Sequence, residues 1–418
     1  MNRKFTFLLL ALMPSFVCYA GWEMRAEPNP SSVSVALQSE PNSDELSSLH
    51  LKGYPSIEMP KTVRPCCSFG NDQPVEIADL PIPFFRYANT VGIEDIGPHG
   101  YDAGTLSLKQ STPVSIPDKE NNGQMYTMRG GFIDFAHVRD TADNTVALFY
   151  QIYPLLGSDA RIPLPKEIGQ RYIQLNKFDT TKYTPLQRWH ISAFLAAKMA
   201  FSMAEAHEIA QWHGYRSWAH WPEYVSAFSP EDLYSNMLGA KVALALLANN
   251  LAMTEELYSQ HMGNWLIDTV KALQPVTKDQ TNFLFKVTDG HWWDSSKPLP
   301  KKYMLLKRDY QLGHTRKPHL IPAELLTKHK DLLGLDINDF ANAQPVTLAL
   351  PDEIEGIEFD TIAQQWLMID AKFKASFNHI PAQVWQNGFN NFQFKKIALL
   401  DKKQDILELQ KLKQSALD

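Results

Sequence analysis

A histidine and a glutamate stand side by side at His207 and Glu208, within the segment TPLQRWHISAFLAAKMAFSMAEAHEIAQWHGY (residues 184–215). In zinc hydrolases a helical His-Glu pair works because the histidine binds the metal while the glutamate takes a proton from the water that the metal activates. Those enzymes carry their second histidine four residues further on, and here that position is Gln211. The protease motif is therefore not matched, and further ligands must come from elsewhere in the chain.

A second stretch rich in reactive side chains follows the glycines at 130 and 131 and contains His137, Arg139 and Asp140. A histidine and a carboxylate three residues apart lie on one side of a helix, where both can bind one metal ion. We therefore predict a divalent metal such as zinc, bound by His207, His137 and Asp140. The candidate catalytic residues are Glu208 as general base, His137, Arg139 and Asp140.

Two other mechanisms remain open. In a cysteine hydrolase or acyltransferase, Cys66 or Cys67 would be the nucleophile and His137 its base, with Asp140 or Asp134 orienting the histidine. In a protein without catalytic activity, the same residues would form a buried network of ion pairs that joins two helices of an envelope binding or assembly module. The members of that network would be His207, Glu208, His137, Arg139 and Asp140.

The His-Glu pair needs a long helix to position it. Thr184 is a favourable N-cap, Pro185 suits the first helical position, and Gly214 suits a left-handed C-cap. Alanines recur every three or four residues along this helix, so a neighbouring helix can approach closely. They are Ala193, Ala197, Ala200 and Ala204.

The predicted fold is mainly α (α+β), a helical domain around this central helix with a few short strands in the later third. Further helices are expected from about residues 132, 230 and 254, with Asp232 as a helix cap, and later at 360–377 and 396–412. Charged residues on most faces of the last helix are typical of a mobile tail. Strands are expected at 282–287, 303–308 and 346–350.

The first twenty residues have the pattern of an export signal. A basic start precedes an apolar run at 5–13 and the small-residue end Cys18-Tyr19-Ala20, so we expect cleavage after Ala20 and a periplasmic or secreted protein. A lipoprotein attached through Cys18 is the alternative. No later segment has about eighteen uninterrupted apolar residues, and the mature chain should therefore lack a transmembrane segment.

Composition limits the remaining possibilities. The chain has 418 residues, of which 44% are hydrophobic, enough for a substantial core. The predicted segments are a signal peptide (1–20), a flexible lead-in (21–60), a main helical domain (61–345) and a C-terminal helical extension (346–418). Cleavage would change the formal charge from −6 to −8, which argues against nucleic acid as a partner. The partner or substrate in the envelope remains unknown.

Four motifs resemble a family of exported bacterial proteins that is catalogued as a domain of unknown function. They are RPCCSFG (64–70), GGFIDFAHVRD (130–140), HEIAQWHGY (207–215) and FSPEDLYSN (228–236). The resemblance covers about residues 60–345. It implies one large domain and a location in a Gram-negative cell envelope, and it implies no particular activity.

Overall fold

The computed structural model describes residues 57–65, 68–87, 89–108, 120–218 and 221–415, together with the single residues Pro28, Val33 and Leu37. Over these residues the fold is mixed α+β and mainly helical, as predicted. The segments predicted to form the signal peptide and most of the lead-in lie outside the described residues, and so do Cys66 and Cys67.

Ten α-helices occur in the described residues. They are α1 (Phe135–Leu155), α2 (Pro185–Trp212), α3 (Asp232–Ala248), α4 (Glu255–Ala272), α5 (Lys278–Thr288), α6 (Ala323–Leu326), α7 (Ile337–Asn342), α8 (Phe359–Ile362), α9 (Ala382–Trp385) and α10 (Asn391–Ser415). Short 3-10 helices span Ile93–Asp95, Glu223–Val225, Lys302–Met304 and Ala371–Phe377.

The described strands are short and antiparallel. They are β1 (Thr62–Val63), β2 (Gln73–Ile77), β3 (Leu80–Tyr87), β4 (Leu106–Ser107), β5 (Gln124–Thr127), β6 (Gly131–Asp134), β7 (Ala160–Leu164), β8 (Arg171–Leu175), β9 (Thr315–Arg316), β10 (Leu348–Ala349), β11 (Glu353–Ile354), β12 (Ile357–Glu358), β13 (Ala363–Leu367) and β14 (Phe389–Asn390). Five two-stranded pairs accompany one four-stranded sheet, whose order is β14-β13-β8-β7.

The core is built from α1, α2 and α3, which pack against one another. The predicted central helix is confirmed as α2, and its first turn is closed by a capping box between Thr184 and Gln187. Gly214 has a φ of 98°, as expected for the residue that ends such a helix. All residues of α3 are buried, so this helix lies inside the protein rather than on its surface.

Helix α3 approaches α1 at Gly239. A Cβ atom built on this glycine would lie 2.0 Å from the carbonyl oxygen of Val138, far inside van der Waals contact. Only a glycine therefore allows the two backbones to come this close. Since Val138 follows His137 directly, this approach also sets the distance from α3 to the predicted site.

The described strands are not confined to the later third, because six precede α1 and two more, β7 and β8, lie between α1 and α2. Residues 282–287 belong to helix α5, whose capping box between Thr277 and Gln280 escaped the sequence prediction. The predicted strand at 303–308 is also wrong, because Lys302–Met304 is a 3-10 helix.

The helix predicted at 360–377 is wrong as well. Strand β13 lies between helix α8 and the 3-10 helix Ala371–Phe377, and it pairs with β8, nearly two hundred residues earlier in the chain. Residues that face the core alternate along this strand, and such pairing depends on a distant partner rather than on local sequence.

The last helix, α10, packs against α2 instead of forming a tail. Its buried face includes Phe394, Ile397 and Ala398, and the acidic residues Asp401 and Asp405 continue it. Buried acidic groups made the helix look polar on most sides, which explains the incorrect expectation. No helix in the described part of the chain is long and apolar enough to cross a bilayer.

Gly239→Ala should destabilise the protein by at least about 1–3 kcal/mol, because the new methyl group overlaps the backbone of α1. Urea unfolding followed by circular dichroism measures this change. Gly263→Ala is the matched control in helix α4, where the nearest atom to the added Cβ is 3.3 Å away. A Gly239→Ala protein as stable as the control would contradict the close approach.

Candidate active site and metal-binding groups

A cavity of about 90 Å³ lies between α1, α2 and the β7–β8 hairpin. Three of the predicted site residues, His137, Asp140 and His207, line it, whereas Glu208 and Arg139 do not. Its polar lining consists of Thr62, Arg64, His137, Asp140, Thr141, Asn144, Glu167, Arg171, His207, Tyr215, Ser217, Glu223 and Asn236. The fold thus brings the two predicted reactive stretches to one cavity.

His137 is the third residue of α1 and is buried. Asp134 caps the helix, and its Oδ1 accepts a hydrogen bond from the backbone N–H of His137 at 3.3 Å. On the ring, Nε2 lies 3.3 Å from Asp232 Oδ1, and Nδ1 lies 3.2 Å from the amide nitrogen of Asn236. Burial, aided by the positive charge of His207, lowers the pKa of His137 to about 3, so its imidazole is neutral at neutral pH.

Asp134, His137 and Asp232 form a group that could hold a metal ion. Each contributes one nitrogen or oxygen atom, these atoms all lie within 4.8 Å of one another, and all three residues are buried. Two carboxylates and one imidazole are a ligand set that suits zinc and similar divalent ions. The group shares His137 with the predicted ligand set, and it does not include His207 or Asp140.

Two more carboxyl groups, of Glu208 and Glu231, influence this group electrostatically. Burial raises the pKa of Glu208 to about 7 and that of Glu231 to about 8. Burial also raises the pKa of Asp232 well above its ordinary value, and the negative charges of Glu231, Glu208 and Asp134 raise it further. Buried carboxyl groups that repel one another must bind protons or a cation.

Glu208, the predicted general base, is fully buried on α2. Its Oε2 accepts a hydrogen bond from the backbone N–H of Phe228, and the positive charges of His207 and Arg308 counteract part of the burial effect on its pKa. A carboxyl group with a pKa near 7 can both accept and release protons at neutral pH.

His207 points to a different partner. Its Nδ1 lies 2.8 Å from Glu167 Oε1, and its Nε2 lies 3.9 Å from Glu223 Oε2. Burial is the largest single influence and lowers the pKa of His207, but the charge and hydrogen bond of Glu167, together with the charges of Glu223 and Glu208, outweigh it and raise the pKa to about 9. His207 is therefore an imidazolium cation at neutral pH, whereas a metal ligand has to be neutral.

Asp140 and Arg139 belong to an ionic network around the buried side chain of Arg64. The guanidinium group of Arg64 lies 2.7 Å from Asp140 and 2.9 Å from Asp143, and its Nε donates to Glu120 at 2.6 Å. Arg139 lies 3.1 Å from the same Glu120. This network fastens the segment before α1 to that helix.

Arg139 also donates to the carbonyl oxygens of Pro98 and Ile96, at 2.7 Å each. His99 belongs to the same network and lies with Nε2 2.8 Å from Asp143 Oδ1. These contacts bind loop residues to α1, whereas the third mechanism expected a network that joins two helices.

Sequence reasoning missed Asp232, which it interpreted as a helix cap. That interpretation is wrong, because the N-cap of α3 is Glu231 and the Asp232 side chain points into the core. A signal was present in the sequence: Asp232 and Asn236 are four residues apart, and therefore on one face, in a mostly apolar helix.

A second group that could hold a metal lies at the C-terminal end of α2. It consists of His213, His379 and Asp401, again with the three ligand atoms within 4.8 Å of one another. Nothing in the sequence pattern pointed to it, since the three residues come from distant parts of the chain. The described residues thus contain two candidate metal groups.

Arg64→Met should lower the free energy of unfolding by about 3–5 kcal/mol, because it leaves buried carboxylates without their cation. Urea unfolding measures this loss. Lys61→Met on the same segment is the control, since Lys61 forms only an exposed pair with Glu58, and it should cause no measurable change. Equal stability of the two variants would contradict the network.

The pair of His207 and Glu167 predicts a pH dependence. Because the pKa of His207 rises from 6.5 to about 9 on folding, the pair stabilises the protein fully below pH 6.5 and loses this effect as pH rises through 9. The difference in unfolding free energy between wild type and His207→Gln should therefore shrink from pH 6 to pH 9.5. His329→Gln serves as the control, and a difference that grows with pH would refute the pairing.

Comparison with known proteins gives one match. A family model described as protein of unknown function (DUF4056) matches residues 54–322, more than half of the chain. No curated protein and no solved structure matches the chain. The matched range includes the cavity and the group of Asp134, His137 and Asp232, and it ends before His379 and Asp401. The chain therefore belongs to the DUF4056 family of proteins of unknown function.

Proposed function

We propose that this protein is an exported, metal-dependent hydrolase of the cell envelope, with a divalent cation such as zinc held by Asp134, His137 and Asp232. The observation that carries the proposal is the convergence of these three ligand atoms within 4.8 Å, in a buried position that meets the cavity at His137. Three protein ligands leave a coordination position for water or substrate, which is typical of catalytic metal sites.

The charges around the group favour a cation. Four buried carboxyl groups interact there: besides burial, the charge of Asp134 raises the pKa of Glu231, and the charges of Glu231, Glu208 and Asp134 raise the pKa of Asp232. A divalent ion would neutralise two of these charges without requiring the carboxylates to be protonated. The amide nitrogen of Asn236 lies 3.2 Å from His137 Nδ1 and donates to Thr141 Oγ1 at 2.9 Å, and these contacts orient the imidazole ring.

The chemistry follows from the groups beside this site. A bound divalent ion would lower the pKa of a coordinated water to near neutrality and so supply a nucleophile. Glu208, with a pKa of about 7, is the proposed general base. His207 carries a positive charge at the cavity wall, where it would attract an anionic substrate group or stabilise negative charge that develops during hydrolysis.

Location in the envelope is part of the proposal. It is supported by the basic start, the apolar run and the small-residue end of the first twenty residues. Peptidoglycan, glycans and lipids are the substrates that such a location would offer, and the cavity does not rank them.

A cysteine hydrolase is the second candidate. Val63 and Arg64 line the same cavity as His137, and the chain continues from them through Pro65 to Cys66 and Cys67. The two cysteines lie outside the described residues, so this candidate is supported by the position of the preceding residues alone. In that mechanism His137 would be the base.

The test is the metal content of the mature chain, purified without chelator or affinity histidines and measured by plasma mass spectrometry. Asp232→Asn should hold about one equivalent less than wild type, because it removes one of three ligands. The substitution keeps the side-chain shape and removes a charge from a crowded carboxyl cluster, so the protein should still fold. Hydrolysis of p-nitrophenyl acetate, a generic ester probe, should fall at least about tenfold.

Asp339→Asn, at an exposed position, is the matched control and should change neither metal content nor hydrolysis. Equal metal content in wild type and Asp232→Asn would refute the metal site. Hydrolysis that survives Asp232→Asn but is abolished by Cys66→Ser or Cys67→Ser would favour the cysteine enzyme. A folded protein with neither metal nor hydrolysis would leave the non-enzymatic module.

A further inference from the structure

We propose that His213, His379 and Asp401 bind a second divalent cation, of the zinc class, which fastens the C-terminal helix α10 to the central helix α2. The proposal is independent of the proposed function, because none of the three residues lines the cavity or belongs to the group of Asp134, His137 and Asp232. Two of the three residues also lie beyond residue 322, where the family match ends.

The geometry of the three side chains is that of a ligand set. Both histidines direct Nε2 at the same carboxylate oxygen, Asp401 Oδ1, at 2.7 Å from His379 and 3.3 Å from His213. The second oxygen, Asp401 Oδ2, is buried and has no hydrogen-bond partner among the described residues. Asp401 itself is fully buried, where an unneutralised charge is costly.

The hydrogen bonds around His213 determine which ring nitrogen carries the proton. Ser376 lies with Oγ 2.7 Å from the carbonyl oxygen of Phe373 and donates its only hydroxyl hydrogen there. The same Oγ lies 3.0 Å from His213 Nδ1, and it must therefore accept a hydrogen bond from that nitrogen. In a neutral ring Nε2 then has a lone pair, and this lone pair faces the lone pairs of Asp401.

Two lone pairs that face each other repel, unless a cation or a proton lies between them. A divalent ion placed between both imidazoles and the carboxylate satisfies all three groups. Two imidazole nitrogens and one carboxylate oxygen match zinc best among the common divalent ions.

The surroundings complete the site. The ring of His213 stacks on Phe377 with a centroid distance of 3.5 Å, and His379 packs against Trp212 at 5.0 Å. These contacts hold the imidazoles in position and exclude water on one side. On the other side His379 lines a surface groove, together with Trp212 and Lys302, and this groove gives an ion a path to the site.

The proposed ion would join three segments that are remote in sequence. They are the end of α2, the segment with His379 that follows the 3-10 helix Ala371–Phe377, and α10. Binding that exists only in the folded state contributes directly to folding stability. The polar helix α10 would thus owe part of its attachment to the ion, in addition to its buried apolar residues.

The test is zinc binding to the full mature chain, free of affinity histidines, by equilibrium dialysis against zinc chloride, with melting temperature as the second readout. His379→Gln should weaken binding at this site at least about tenfold and remove the rise in melting temperature that zinc causes. His379 is only half-buried, so the variant should fold. His329→Gln, at a similarly half-buried position outside either metal group, is the matched control.

Asp232→Asn separates this proposal from the hydrolase. Asp232→Asn should retain the zinc equivalent that His379→Gln loses. Amide hydrogen exchange in α10 should be unchanged in Asp232→Asn and faster in His379→Gln. Wild-type zinc affinity and stoichiometry in His379→Gln would overturn the second site. Loss of zinc in Asp232→Asn together with its retention in His379→Gln would also overturn it, while leaving the proposed function intact.

Discussion

The contact of α3 with α1 at Gly239 is the constraint on which the candidate site depends. Because no side chain separates the two backbones there, Asp232 and Asn236 at the start of α3 reach the ring of His137. A helix pair held apart by an ordinary side chain would leave these groups in separate environments. Close packing therefore creates the electrostatic problem of several buried carboxyl groups side by side, and the same packing provides the neutral imidazole that could help bind a cation.

Charge is balanced differently in two neighbouring groups along α1. In one group Arg64 and Arg139 lie among Glu120, Asp140 and Asp143, so cations and carboxylates compensate one another within the chain. In the other group, around His137, burial and the negative charges of Glu231, Glu208 and Asp134 raise the pKa of Asp232. The first arrangement explains a structural network, and the second is the arrangement in which a bound metal ion would remove repulsion. The two interpretations of the sequence thus apply to different groups of residues on the same helix.

The central helix carries two histidines six positions apart, His207 at the cavity wall and His213 in the second candidate metal group. His207 is held as a cation by Glu167 together with Glu223 and Glu208, while burial keeps His213 neutral in spite of Asp401. The same residue type therefore has opposite charge states on one helix, because the carboxylates around His207 together outweigh burial and the one beside His213 does not. The charge state of each histidine therefore depends on its burial and on the carboxylates that the fold places beside it.

The sequence by itself determined the main helices, the identity of the family and the neighbourhood of the site. Thr184 and Pro185 start α2, and helical spacing after Gly131 gives α1, because caps and periodicity act within a few residues. The same local patterns placed His137 on α1, and His207 and Glu208 on α2. Only the tertiary structure decided that β13 is a strand paired with β8, that Asp232 rather than His207 joins His137, and that Asp401 meets two histidines. Each of these depends on how distant segments are turned toward one another, and local spacing carries no information on that rotation.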